Sequence, residues 1–334
     1  MRRLKHDFVF LGSDWDLYKY AYSDLEKIDN ATYVAGISSR LNRCEKFLFR
    51  AHFTPKINNY INLPFKSIWN KVLFRGLTDV DETIFVLDSG WILLNEEMSI
   101  INYLKRKCKK SKFVWFLQDL FCKQHLNDGS PIELLKIQKS LDLIVSFDQG
   151  DSEKYGFEYH PLVFSEFNGI IEEMPYSDVY FLGQAKDRLN DLLSVYKYLR
   201  DNGLKCDFHI AKVSENEQKY SDEIDYNPQF SYNKNLQHIL HTKCLLEVMQ
   251  KGGTGMTQRG VETVGLNKLL ITNNTRIHEA PFYNPDFICQ YNKPNEIPIS
   301  FINKIKEGVQ ADYNYKEFLS PVAFFQFIEE KIYK

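Results

Sequence analysis

Residues 251–274 read KGGTGMTQRGVETVGLNKLLITNN: a glycine-rich loop, a helix-forming stretch and a further apolar strand. Ligands in open α/β sheets sit beyond the carboxyl ends of strands. There, glycines let backbone approach a diphosphate, and a helix start offers N–H groups. Gly252, Gly253 and Gly255 supply such a loop, and the apolar run Lys243–Val248 supplies the strand before it. With Thr257 as cap, Arg259 falls in the first turn and Glu262 three residues further on, so both project from one helical face. A guanidinium fork suits diphosphate oxygens, and a carboxylate suits two ribose hydroxyls. A turn-forming loop followed by an ordinary Arg–Glu helix pair gives the same pattern.

Working outward, residues 179–189, VYFLGQAKDRL, repeat the theme: a strand, then a loop holding Gly183, Lys186 and Arg188 just before a helix. Two cations beside helix-end amides point at an anion, although basic residues at a helix start are also common solvated charges. Strand-length apolar runs recur along the whole chain with helical stretches between them, the mark of α/β units around parallel sheets. The first half is expected to hold strands at Phe8–Gly12, Thr32–Gly36, Thr83–Leu87, Lys112–Leu117 and Leu143–Ser146. The second is expected to hold them at Val179–Leu182, Cys206–Ile210, Lys243–Val248, Lys268–Thr272 and Phe287–Cys289. Arg188–Asn202 is amphipathic, and Tyr315–Tyr333 reads as a final helix that needs a hydrophobic groove. The polar stretch Ser214–Lys234 reads as a long surface loop or a pairing of short irregular segments.

At 334 residues and 44% hydrophobic content, the chain can bury two cores of roughly 150 residues each. The expected domains are residues 1–168 and 175–314, with 315–334 packing back on the body, and the break near Phe164–Tyr176. A net charge of −2 gives no global field to hold nucleic acid. The six cysteines form no C-x-x-C pair and no ligand-like spacing with histidine, so neither zinc nor a disulfide framework is expected. The apolar run in MRRLKHDFVFLGSDWD is too short for a signal or a membrane span.

Together, FLGQAKDRL, KCLLEVMQ, GGTGMTQRGVE, GLNKLLITNN and the FYNP of Phe282–Pro285 resemble the nucleotide-binding domain of GT-B glycosyltransferases. The nearer likeness is to a bacterial group associated with capsule and lipopolysaccharide assembly. It covers roughly Asp178–Tyr291 and extends weakly to LDLIVSFDQGDSEKYGFEYHPL. The resemblance implies two Rossmann-like doubly wound domains facing a central cleft, an acceptor-binding first half and a nucleotide-sugar-binding second half. It also implies Lys186 and Arg188, with Gly183, near the donor phosphates. Thr257, Gln258 and Arg259, with Gly255, would form the diphosphate loop, and Glu262 would meet the ribose. Retaining members often carry two glutamates eight positions apart. Eight before Glu262 stands Thr254, which leaves the stereochemistry open.

An inverting enzyme of this kind needs a base for the acceptor hydroxyl, just after a first-half strand. Asp14, then Asp88 and Asp119, are the ranked candidates, each set against the ordinary role of aspartate in turns and caps. Asp16, Asp148 and His160 rank below them. Asp14-Trp15-Asp16 has D-x-D spacing but follows the first strand, outside the context of a metal-binding loop. Because side chains and a helix end can neutralise phosphates, metal independence is expected, and the donor nucleotide sugar takes the place of a cofactor.

Lys105–Lys112 places six cations in eight residues, and Arg40, Arg43, Lys46 and Arg50 form a second basic stretch. Basic runs are usually solvated faces, yet they also attract anionic lipid headgroups. The expected setting is cytoplasmic, with peripheral contact at the inner face of the membrane and a glycan or lipid-linked acceptor. The alternatives are a nucleotide-sugar epimerase, for which no clear acid/base pair is seen, and a catalytically silent partner module.

Overall fold

The computed structural model describes residues 4–54, 63–78, 82–94, 98–125 and 133–334; the basic start at residues 1–3 lies outside them. The chain divides into two compact units, residues 1–165 with 320–334, and residues 166–319.

In the first unit, β1 (Asp7–Leu11), β2 (Ala31–Val34), β3 (Thr83–Asp88), β4 (Lys112–Leu117), β5 (Leu143–Ser146) and β6 (Glu158–Tyr159) form one parallel sheet in the order β2-β1-β3-β4-β5-β6. Alternate residues of each strand point to opposite faces. Val9, Leu11, Phe85, Leu87, Phe113, Trp115 and Leu117 serve a core shared with Trp69, Trp91, Ile101 and Leu104. The other face is closed by the final helix, α-C (Pro321–Ile332), whose Phe325 stacks on Phe8 with centroids 4.4 Å apart and whose Phe324 meets Phe116 at 4.4 Å. This helix starts at Pro321 and not at Tyr315, because the Ser320 side chain caps it and Pro321 takes the first-turn position where no N–H is needed.

In the second unit, β7 (Ser177–Gln184), β8 (Cys206–Ala211), β9 (Asp225–Tyr226), β10 (Thr242–Glu247), β11 (Leu269–Thr272) and β12 (Ile288–Gln290) form a parallel sheet in the order β12-β11-β10-β7-β8-β9. The two-residue strands β6 and β9 are the elements that the sequence does not announce. Each pairs along one edge only, and β9 falls inside the stretch expected to be loop, which ends where Ser231 caps the helix Tyr232–Leu240.

Both sheets reverse strand order once. In the first, the chain leaves β1 for β2 and returns on the other side of β1 to β3; in the second, it leaves β7 for β8 and β9 and returns to β10. The carboxyl ends flanking a reversal splay apart and open a crevice for ligands. The crevices therefore lie at the ends of β1 and β3, and of β7 and β10.

Candidate donor site

Two loops leave the second crevice. The β7 loop turns sharply at Lys186, a non-glycine residue at φ +47°, and leads into the helix Leu189–Asp201. Arg188 folds back across Gly183. A Cβ on Gly183 would lie 2.9 Å from the Phe181 ring and 3.3 Å from the Arg188 guanidinium, so the missing side chain is what lets Arg188 cross the strand end. The guanidinium lies 5.7 Å from the Phe181 centroid and donates to the carbonyls of Val248 and Gln184. It thereby ties the end of β7 to the end of β10. Burial pushes its pKa down, opposed by the charge of Glu247. Lys186 is exposed and its Nζ donates to Gln250 at 2.7 Å. The backbone N–H of Lys251 donates to Asp187 at 3.2 Å. The glycine loop is thus held from the β7 side by three consecutive residues.

The loop ends at Thr257, which caps the helix Gln258–Gly265; its hydroxyl accepts from the Arg259 N–H at 3.2 Å. The same hydroxyl donates to Glu247 at 2.5 Å, and the other oxygen of Glu247 accepts from Thr272 at 2.6 Å. Glu247, 2% exposed, is the residue that sequence reasoning missed. Its signal is the one carboxylate in KCLLEV, a run that reads simply as strand. Gly260 packs against this pair: a Cβ there would lie 2.5 Å from the Met256 side chain and 3.4 Å from Glu247. Gly255 and Met256 are buried and Gln258 is partly so, its amide donating to Tyr232 at 3.3 Å.

Arg259 and Glu262 share one helical face and pair with each other at 2.7 Å. Glu262 is wholly buried and accepts from the Tyr232 hydroxyl at 2.8 Å and the Asn235 amide at 3.1 Å. Arg259 donates to Asn235 and to the Leu182 carbonyl at 3.0 Å, over the Tyr180 ring. Burial raises the Glu262 carboxyl above its usual range, and Arg259 works against that rise. In this arrangement Glu262 faces inward as a strut between its own helix and the helix Tyr232–Leu240, and 13% of the Arg259 side chain reaches solvent. The groups offered at the crevice are Lys186, Arg188, the rim of Arg259 and the capped start of the helix Gln258–Gly265. All are cationic or N–H donors, the chemistry that holds a diphosphate.

In the first unit, Asp88 ends β3 and caps a one-turn helix. It accepts from the Gly90 N–H at 2.9 Å and the Tyr18 hydroxyl at 2.8 Å, and burial raises its carboxyl. Asp14 follows β1, is exposed, and accepts from the Ser38 N–H at 3.1 Å. Gly36 makes that approach possible, since a Cβ there would lie 2.6 Å from Asp14. Asp14 lines a cavity of about 270 Å³ with Ile37, Ser38, Leu41, Lys46, Phe49 and Arg50. Asp14 and Asp88 follow the neighbouring strands β1 and β3; burial drives the Tyr33 hydroxyl pKa upward, and the charges of these two aspartates add to the rise. Asp119 stands apart, one strand further along the sheet, where its carboxylate accepts from the Leu120 N–H at 2.9 Å. Asp148 caps the helix Gln149–Tyr155. Asp16 opens the helix Asp16–Ala21. His160 is 1% exposed, bonded to the Pro161 carbonyl at 2.7 Å and packed beside Phe324 and Phe327. Burial lowers its pKa to about 4.

No protein-family model matches the sequence, and no curated protein matches it. Solved structures do. AviGT4, a glycosyltransferase involved in avilamycin A biosynthesis, aligns over 98% of this chain and 97% of its own at a TM-score of 0.54 and 9% identity. A putative UDP-N-acetylglucosamine 2-epimerase from Listeria monocytogenes aligns over 97% of both chains at 0.52 and 8%. The trehalose-6-phosphate synthase OtsA aligns over 92% of this chain and 87% of its own at 0.51 and 10%. The chain has the GT-B fold. At such identities the likeness is one of fold alone, and function rests on the site.

Proposed function

We propose that this protein is a glycosyltransferase that takes a nucleotide diphosphate sugar on its second unit and a glycan or lipid-linked precursor of a surface polysaccharide on its first. The observation that carries the reading is the crossing of Arg188 from β7 to the Val248 carbonyl beside the capped start of the helix Gln258–Gly265, at the strand reversal. A leaving nucleoside diphosphate develops negative charge. Fixed cations and N–H groups aimed at that charge stabilise the transition state without needing to reorganise. In this reading Lys186, Arg188, Arg259 and the loop of Gly255, Thr257 and Gln258 compensate the phosphates without a metal. Asp14, exposed and bordering a cavity, takes the proton of the acceptor hydroxyl. Asp88, engaged by Tyr18 and Gly90, holds the crevice of the first unit in shape.

A membrane-bound acceptor fits the surface of the helix Arg43–Phe53. Phe47 and Leu48 are exposed there beside Arg43 and Arg50, with exposed Phe65 and Ile68 in the same unit. Among the described residues no helix is long and apolar enough to cross a membrane. Apolar anchors beside cations, each cation adding about 1 kcal/mol near anionic lipid, suit a peripheral contact. Sedimentation with anionic vesicles tests this; absence of binding at low salt removes the membrane part alone.

The donor assignment is tested by calorimetric titration of nucleoside diphosphates and their sugars into wild type, Arg188→Gln and Lys186→Ala. Binding of one nucleotide family, weakened at least tenfold in Arg188→Gln, is expected. No binding, or equal binding by all three proteins, refutes the assignment. Inverting the bound sugar without any acceptor would instead identify an epimerase.

A further inference from the structure

Away from the donor crevice, the second unit holds a cluster that the proposed transfer chemistry does not use. Asp207 and His209 stand two residues apart on β8, so both side chains leave the same face of the sheet. His238, on the helix Tyr232–Leu240, comes down onto that face. One Asp207 oxygen lies 2.7 Å from Nε2 of His209, and the other lies 2.7 Å from Nδ1 of His238. The three donor atoms fall within 4.8 Å of one another.

We propose that Asp207, His209 and His238 form a binding site for a divalent transition-metal ion of the zinc type, which pins the helix Tyr232–Leu240 to β8. Two imidazoles and a carboxylate are a common three-ligand set for such an ion, with water in the fourth position. Tetrahedral coordination at metal–nitrogen distances near 2.0–2.1 Å separates ligand atoms by about 3.3 Å. The two 2.7 Å contacts would open by about 0.6 Å, and the widest donor separation, within 4.8 Å, would close toward about 3.3 Å as the ion enters.

The surroundings are arranged as a metal site requires. Nδ1 of His209 lies 2.8 Å from Asp225 on the edge strand β9. Donating its N–H to that carboxylate leaves Nε2 as the lone-pair donor toward the cluster, the relation that orients metal-binding histidines. The His238 ring is held between Tyr180, at 5.4 Å and 17° between planes, and Phe230, at 5.0 Å and 22°. Its Nδ1 therefore has little freedom to swing away. His209 and His238 are 7% and 9% exposed, whereas 28% of the Asp207 side chain reaches solvent and leaves room for a water on that side.

The site touches the donor half through shared elements. The helix that the ion would anchor supplies Tyr232 and Asn235 to Glu262, and Tyr180, which covers His238, donates to Asn235 at 3.0 Å. Stiffening this helix fixes the strut behind Arg259. The inference does not depend on the proposed transfer reaction.

The test uses the full chain with exposed Cys44 and Cys122 changed to serine, stripped with a chelator and titrated with zinc or cobalt(II) ions alone. One ion per chain is expected, with cobalt showing the visible absorption of a four-coordinate site. His238→Gln and Asp207→Asn are expected to weaken binding at least 100-fold, and Asp225→Asn ten- to 100-fold. A nitrogen-15 histidine spectrum of the protein with these residues intact keeps the test independent of whether the variants fold. Zinc is expected to move the ring resonances of His209 and His238, and amide exchange across residues 232–240 is expected to slow. Absence of stoichiometric binding, binding that His238→Gln leaves within twofold, or shifts confined to other histidines overturns the proposal.

Discussion

Replacing Glu262 separates two roles for the same residue. As a ribose acceptor it would matter to ligand and little to stability. The structure instead shows a fully buried carboxylate holding Arg259 at 2.7 Å, Tyr232 at 2.8 Å and Asn235 at 3.1 Å. Removing one partner of a buried pair leaves an uncompensated charge and costs about 3–5 kcal/mol. With a urea dependence of about 2 kcal/mol per molar for a unit of this size, Glu262→Ala should lower the unfolding midpoint of the second unit by about 2 M. The assay can isolate that unit. All four tryptophans, at 15, 69, 91 and 115, lie in the first unit, so their fluorescence should hold its midpoint while far-ultraviolet circular dichroism shows the early transition. Arg259→Met with Glu262→Leu removes both charges and should recover most of the loss, to within about 1 kcal/mol of wild type. A cost below about 1 kcal/mol for Glu262→Ala, with nucleotide binding abolished, would refute the strut and restore the direct ribose contact.

Three further outcomes are expected. His160 has its pKa lowered from 6.5 to about 4 by burial, so the unfolded chain takes up a proton that the folded unit refuses. The stability this represents, up to ~3 kcal/mol, is fully present above pH 6.5 and is lost as pH falls toward 4; tryptophan-monitored urea midpoints should decline over that window in wild type and decline less in His160→Gln. Gly260→Ala places a carbon 2.5 Å from Met256 and should cost about 1–3 kcal/mol while weakening nucleotide binding, measured by denaturation and calorimetry. Asp14→Asn should leave the unfolding midpoint unchanged and lower turnover about 10²- to 10⁴-fold; equal turnover by Asp14→Asn would remove it as the base.

The parallel strands were readable because both faces of such sheets are covered, so Phe113–Leu117 or Leu269–Ile271 stand out as unbroken apolar runs. Edge strands of two residues carry no such signal, which hid Glu158–Tyr159 and Asp225–Tyr226. The glycine loop was legible because close backbone approach demands particular residues. The inward turn of Glu262 was not, because it depends on Tyr232 and Asn235, some thirty residues earlier on another helix. Glu247 carries no distinguishing signal of its own, because one carboxylate within an apolar run is compatible with an ordinary strand. Spacing rules built on cysteine and on neighbouring histidines likewise miss Asp207 and His209, whose third member arrives from His238 only after folding.

The helix Pro321–Ile332 completes a sheet built from the first 165 residues, while the second unit is continuous in the chain. On the ribosome these pieces are separated in time. At 5–20 residues per second, the bare face carrying Phe8, Phe10 and Phe116 waits roughly ten to thirty seconds for its cover, during which the entire second unit is made. The later half of the protein is then free to mature first, while the apolar face of the earlier half stays uncovered until Pro321–Ile332 has been made. A truncation shortly before Ser320 would consequently damage the half that was translated first.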